Sequence, residues 1–252
     1  MIKLFITDID GCLTSPFKKP SWELLSQIRR LNEQSEVDLA IPSLSICSGR
    51  PLPYVEAVAQ WLGVNHPVVF ESGGIYELAT NNVELSTAFD EEAERQVEQL
   101  KDWLQQNIIN KYPDMILEFT KRMDAGLIHL EKGTIDDVFP LISEYVDQNY
   151  PRFEVHRTEV SINVIPTENN KESGIKKLCE MIGIEPDEAA YIGDSSGDIP
   201  GLKIVGHPFA PLNASADVKK HAQVLKAEVT EAVLMAYRKI IEANRKEIAV
   251  NQ

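Results

Sequence analysis

Cysteine is scarce in this chain, with three among 252 residues, at positions 12, 47 and 179. So small, odd and widely spaced a set builds no disulfide framework and no metal-ligand spacing. The three are read as buried small hydrophobes in a reducing, cytoplasmic setting. Long apolar runs are missing as well, and a membrane-spanning helix needs ~18 or more consecutive apolar residues. The opening MIKLFITDIDG meets acidic residues at once, which is unlike a secretory leader. Basic residues are few: 25 Lys+Arg stand against 39 Asp+Glu, a net charge of −14. That balance argues against a nucleic-acid partner, whose footprint is a basic patch, and against docking on an anionic membrane. Taken globally it also disfavours anionic small ligands. No repeat of fixed period and no low-complexity tract occurs. What is present is 43% hydrophobic and 25% charged, an ordinary globular composition in a length that suits one large domain or two small ones.

The order of the elements narrows the fold. Ile2 to Ile9 is a mostly apolar run of β-formers, as expected of a parallel strand covered on both faces. A helix follows over about Trp22–Asn32, then a strand ending at Cys47, a helix from Pro51 to Leu62, and a short strand from His66 to Phe70. This β-α-β-α-β rhythm predicts a doubly wound α/β parallel sheet. It breaks near residue 79. A charged helix over Asp90–Asn110 precedes strand-like runs at Met115–Lys121 and Leu127–Glu131, a helix over Ile135–Asn149, and strands at Phe153–His156 and Val160–Ile165. Helix, two strands, helix, two strands describes an α+β unit with an antiparallel sheet. After Pro166 the α/β rhythm returns: a helix from Lys171, a strand Ala189–Ile192, a strand at Ile204–Val205 and a helix from Glu231 to about Asn244, with Ile248–Gln252 expected to fray. The expected organisation is a Rossmann-like core of residues 1–78 and 166–252, interrupted by an α+β insertion over 79–165.

In open parallel sheets, ligands bind beyond the carboxyl ends of the strands. The first strand ends in Asp8, Asp10 and Gly11, and the second in Ser48, Gly49 and Arg50. Lys171 stands at a helix start, and the later strand Ala189–Ile192 runs into Gly193, Asp194 and Asp198. Crowded carboxylates raise one another's pKa, and a hard divalent cation such as Mg²⁺ relieves them. One carboxylate can then act as a nucleophile and another as general acid and base. A lysine and a serine hydroxyl suit the oxygens of a transferring phosphoryl group. Gly11 and Gly49 would let backbone N–H groups come close to it. Duller readings exist for each residue taken alone. Ser48 suits a helix cap, Asp194 and Asp198 suit a capping loop, and Arg50 serves equally as a substrate contact or an ion-pair partner. Lys171 goes against the helix dipole, which favours a functional reason.

Together these segments resemble the motifs of the haloacid dehalogenase-like phosphohydrolases. Asp8-Ile9-Asp10-Gly11-Cys12-Leu13-Thr14 is similar to the first motif, Cys47-Ser48-Gly49-Arg50 to the second, Lys171 to the third, and Gly193-Asp194-Ser195-Ser196-Gly197-Asp198 to the fourth. The position of the insertion resembles the branch with an α+β cap between the second and third motifs. The resemblance implies a Mg²⁺-dependent phosphatase acting on a small phosphorylated metabolite, such as a sugar phosphate or phosphoglycolate. It implies Asp8 as nucleophile and Asp10 as acid and base, with the Asp10 backbone carbonyl on the metal. Ser48 and Lys171 would hold phosphate. Asp194 would be a direct metal ligand, and Asp198 would bind the metal through water or support Lys171. Arg50, Ser72, Gly73, Lys121 and Arg122 are candidate substrate contacts, and the cap is expected to close over the core. A monomer or homodimer is expected. Cys12 stands where the family usually has Thr, and Ser72 where this branch often has Asn. A phosphomutase using the same aspartyl-phosphate is the alternative, and a phosphate-accepting signalling receiver is a rival of another class. The net charge of −14 does not exclude an anionic substrate, since a cation with Lys171 would make the local potential positive.

Overall fold

The computed structural model describes residues 1–112 and 114–250. It divides into two compact units, Met1–Glu84 with Lys171–Gln252, and Leu85–Asn170. Residues 251 and 252, part of the tail expected to fray, lie outside the described residues. Ile248–Val250 does not fray: it continues the last helix.

The first unit opens with β1 (Leu4–Thr7), α1 (Trp22–Gln34), β2 (Ser43–Ile46), α2 (Leu52–Leu62), β3 (Val68–Phe70), β4 (Gly74–Glu77) and β5 (Asn82–Glu84). The second unit contributes α3 (Glu91–Leu104), β6 (Ile116–Leu117), β7 (Ala125–Ile128), α4 (Lys132–Asn149), β8 (Phe153–Arg157) and β9 (Ser161–Pro166). The first unit then resumes with α5 (Lys171–Ile182), β10 (Ala189–Ile192), α6 (Ile199–Ile204), β11 (His207–Ala210), β12 (Gln223–Val224) and α7 (Val229–Val250).

The core of the first unit is the expected doubly wound fold. Its parallel sheet runs β12-β11-β10-β1-β2, so β1 is central. Successive β1 side chains face opposite sides. Leu4 and Ile6 pack with Tyr191, Ile175, Leu178 and Leu202 of β10, α5 and α6. Phe5 meets Tyr237 of α7 with ring centroids 5.1 Å apart. The register sets Thr7 beside Ile192 on one side and Ile46 on the other. The three strand ends are therefore level. The chain leaves β1 toward β2 on one side and returns as β10 on the other, which makes this edge the topological switch point.

Two expected strands differ. β3 joins the parallel sheet only through a bridge between Val69 and Cys47, and otherwise pairs antiparallel with β4, which pairs with β5. Ile204 ends α6 instead of forming a strand, and the strand comes later, at β11. Pro200 near the start of α6 supplies the reason, because a fixed φ suits a first helical turn.

The second unit is an antiparallel sheet of order β6-β7-β9-β8 with two helices. Ala93, Val97, Leu100 and Leu104 of α3, and Ile135, Val138, Ile142 and Val146 of α4, recur at helical spacing and are all buried. Trp103 and Tyr145 stack with centroids 3.8 Å apart. The run expected to be a strand over Met115–Lys121 is extended only at β6, and Lys121 lies in the turn beyond it. Among the described residues, no helix is long and apolar enough to cross a membrane.

Candidate active site

Asp8 is the first residue after β1, and the parallel ladder still holds it: its N–H donates to the Ile192 carbonyl at 3.0 Å. Its side chain is buried, 4% exposed. Lys171, the first residue of α5, sits 3.0 Å from Asp8 Oδ1 and 2.5 Å from Asp198 Oδ1. Burial opposes the charge on Lys171, but Asp198 and Asp8 outweigh it and hold the ammonium well above its ordinary value.

Asp198 is fully buried and fully engaged. Oδ1 accepts from Lys171 and from the Tyr191 hydroxyl. Oδ2 accepts from the backbone N–H groups of Asp194 (3.0 Å) and Ser195 (2.8 Å) and from the Ser195 hydroxyl (2.9 Å). Burial alone would raise its carboxyl, but Lys171 and these donors bring it below the usual carboxylate value. Of the two roles set out for Asp198, these bonds describe support of Lys171. Tyr191 escaped sequence reasoning. Its signal was a single polar tip in the apolar strand Ala189–Ile192, and a buried tyrosine hydroxyl usually has a partner.

Asp194 lies across from Asp8. Its carboxyl is pushed up to about 8 by burial, with Asp198 and Asp8 adding like charge. Burial likewise lifts Asp8 to about 7, with Asp198 and Asp10 adding to it and Lys171 opposing. One oxygen of each carboxylate and the Cys12 sulfur lie within 4.8 Å of one another. Two carboxylates whose ionisation is penalised by burial and mutual repulsion form a site short of positive charge, and their hard oxygens suit Mg²⁺. Cys12 remains a neutral thiol, raised well above its ordinary value by burial and then by Asp194 and Asp8.

Gly11 makes this packing possible. Its N–H donates to the Thr14 carbonyl at 2.7 Å, closing the turn. Its φ is +76°, and a Cβ there would stand 2.1 Å from Asp194 Oδ2. Glycine is needed for both the left-handed backbone and the close approach of the carboxylate.

Ser48 follows β2 and is 1% exposed; its Oγ accepts from the Arg50 N–H at 3.2 Å. Its carbonyl accepts from the Ser72 N–H at 3.0 Å, and the Arg50 carbonyl from the Glu71 N–H at 3.0 Å. Glu71 and Ser72 hold positive φ values of 43° and 67°, so a tight turn that includes Gly73 braces the Ser48–Gly49–Arg50 turn from behind. The Arg50 guanidinium donates to both oxygens of Asp10, Nε to Oδ2 at 2.5 Å and Nη2 to Oδ1 at 2.8 Å.

Lys121 and Arg122 belong to the second unit. Lys121 is 4% exposed and its Nζ meets Glu118 (3.0 Å), Asp124 (2.9 Å) and the side-chain Oδ1 of Asn163 (2.6 Å). An ammonium has three N–H groups, and all three are used inside the unit. Burial disfavours its charge, but Asp124 and Glu118 raise it overall. Arg122 is more than half exposed and pairs with Glu94 through Nε (3.1 Å) and Nη2 (2.8 Å).

With this geometry in view, the comparisons with known proteins carry weight. A family model described as haloacid dehalogenase-like hydrolase matches residues 5–115 and 109–236. A phosphoglycolate phosphatase of Methanopyrus kandleri is 31% identical over 247 residues, 96% of this chain and 98% of that protein. One of Methanococcoides burtonii is 26% identical over 238 residues, 94% and 95% of the two chains. A Thermoplasma acidophilum crystal structure has the same fold, with a TM-score of 0.77 at 20% identity, covering 95% of this chain and 98% of that one. The sucrose-phosphatase of Synechocystis, solved with sucrose and phosphate, gives 0.65 at 14% identity, covering 95% and 98%.

Proposed function

Since this chain belongs to the haloacid dehalogenase-like hydrolases and is a phosphoric monoester hydrolase, we propose that it hydrolyses a small phosphorylated metabolite, phosphoglycolate or a compact sugar phosphate, through phosphorylation of Asp8. The observation that carries the reading is the pairing of Asp8 with Lys171 at 3.0 Å, directly beyond the central strand and opposite Asp194. A lysine there cancels charge on a phosphoryl oxygen without blocking the other Asp8 oxygen. The relatives that bear the name phosphoglycolate phosphatase support the substrate class.

Asp8 and Asp194, with the Asp10 backbone carbonyl, would hold Mg²⁺, which neutralises charge at the phosphoryl group when bound. Lys171 and the Ser48 hydroxyl would bind the remaining phosphoryl oxygens. An Asp8 oxygen forms a bond to phosphorus as the ester P–O bond breaks. The departing oxygen keeps the bonding pair and takes a proton from the Asp10 carboxyl. The Asp10 carboxylate then takes a proton from water. That water's oxygen bonds to phosphorus, the Asp8 O–P bond breaks, inorganic phosphate leaves, and Asp10 is protonated again. Asp198 and Tyr191 keep Lys171 charged and in place throughout.

The test is hydrolysis of phosphoglycolate and a panel of sugar phosphates, with Mg²⁺ and with EDTA. The expected outcome is Mg²⁺-dependent release of phosphate that Asp8→Asn abolishes. Turnover retained by Asp8→Asn would refute the role of Asp8.

A further inference from the structure

The geometry points to Arg50 as the positioning residue of Asp10, so that the proton transfers of the reaction depend on a guanidinium that itself need not touch the phosphoryl group. This rests on the reading of Asp10 as the acid and base. Arg50 lies 40 residues from Asp10 in sequence, yet its side chain meets both oxygens of that carboxylate as a planar fork, at 2.5 and 2.8 Å. A bidentate pair fixes the plane of the carboxylate as well as its distance, which a single bond or a lysine does not. Each oxygen still has a lone pair beyond the one it gives to the fork, so proton exchange is not blocked.

The guanidinium is itself clamped. Its carbon sits 5.1 Å from the centroid of the Tyr54 ring and 5.8 Å from that of Phe17, both within the range of cation–π attraction. Its backbone is pinned from both sides, with its N–H on Ser48 Oγ and its carbonyl on the Glu71 N–H. Phe17 adopts a φ of 57° while 57% exposed, a left-handed conformation that a bulky aromatic side chain adopts only at a cost. Water would solvate that ring in any backbone conformation, so exposure does not account for it. The same conformation holds the ring 5.8 Å from the Arg50 guanidinium carbon. Arg50 and both rings line one cleft of about 300 Å³ in the first unit, with Trp22 and Trp61 further along it. The Arg50 side chain is 18% exposed and the Asp10 side chain 30%, so the pair is shielded but reachable.

An arginine that merely bound the leaving group would affect KM and would be indifferent to how badly that group needs a proton. A positioning residue for Asp10 affects the proton-dependent step. The discriminating substrates are two esters of one shape: phenyl phosphate, whose leaving group requires a proton, and p-nitrophenyl phosphate, whose leaving group scarcely does. Arg50→Ala is expected to lower kcat/KM on phenyl phosphate about 100-fold, and on p-nitrophenyl phosphate about 10-fold or less, within the range general acid catalysis contributes. KM should change little. In an Asp10→Asn background, Arg50→Ala should cost less than about 3-fold further, since the group it acts through is gone. Arg50→Lys, which keeps the charge and loses the fork, should fall between. Should Arg50→Ala not fold, Arg50→Lys and Tyr54→Leu make the same comparison. Equal losses on the two esters, an effect confined to KM, or an undiminished loss in the Asp10→Asn background would overturn the proposal. Turnover that survives Asp8→Asn would instead overturn the reading of the reaction on which it rests.

Discussion

Removing the charge of Asp194 should make the metal-free protein more stable. Asp194 is pushed from its ordinary 3.8 to about 8, mainly by burial and then by Asp198 and Asp8. A carboxyl that binds its proton more tightly when folded weakens the fold as pH rises between those two values. At about 1.4 kcal/mol per pH unit, the ceiling is about 6 kcal/mol. Water penetration and counterions reduce it, so we expect about 2 kcal/mol for Asp194→Asn at pH 8 to 9, or roughly 5 °C in Tm. The gain should be nearly absent at pH 4, grow through pH 4 to 8 and then level off. The assay is thermal unfolding in EDTA across that range. Mg²⁺ should reverse the order at pH 8, raising the Tm of the native protein much more than that of Asp194→Asn, because the variant keeps Asp8 and the Asp10 carbonyl but lacks the second carboxylate. A variant less stable than the native protein in EDTA at pH 8, or a gain that ignores pH, would refute the electrostatic reasoning.

Two further substitutions probe how the site and the second unit are held. A Cβ at Gly174 would lie 2.6 Å from Val69 Cγ1 and 2.7 Å from the Ser72 carbonyl oxygen. Gly174→Ala should therefore cost about 1–3 kcal/mol in urea unfolding despite alanine's better helix propensity. A stabilised Gly174→Ala protein would contradict the packing of α5 against the Ser72 turn. Lys121→Met would take the ammonium from buried Asp124 and half-buried Glu118, and a loss of about 3–5 kcal/mol is expected. Acidification should recover part of it. A loss independent of pH would show that packing, and not charge, is what Lys121 supplies.

The doubly wound core and the chemical residues beyond its strands were legible because one rule governs both. Parallel strands present their carboxyl ends at a shared edge, so Asp8, Ser48 and Asp194 could be placed together from a rhythm of apolar runs and the residues that end them. What escaped depends on pairings that distance along the chain conceals. Val68-Val69-Phe70 reads the same in a parallel or an antiparallel sheet, and only the turn at Glu71–Gly73 decides that β3 turns back on β4. The fork between Arg50 and Asp10 leaves no mark in the local sequence. Nothing near Gly11 in the chain shows that the side chain of Asp194, 183 residues away, also requires a glycine there. Lys121 reads from the sequence as a candidate substrate contact, and nothing near it in the chain shows that Asn163, from a distant strand, completes its burial beside Glu118 and Asp124.

The central claim is that Asp8 carries the phosphoryl group. The most direct measurement is to stop the reaction with acid during turnover, reduce the trapped protein with borohydride, and map it by peptide mass spectrometry. An aspartyl phosphate at position 8 is expected to appear as homoserine at that position alone, in the native protein and not in Asp8→Asn. A protein turning over phosphate at full rate with no modification at Asp8, or with it at another carboxylate, would contradict the account.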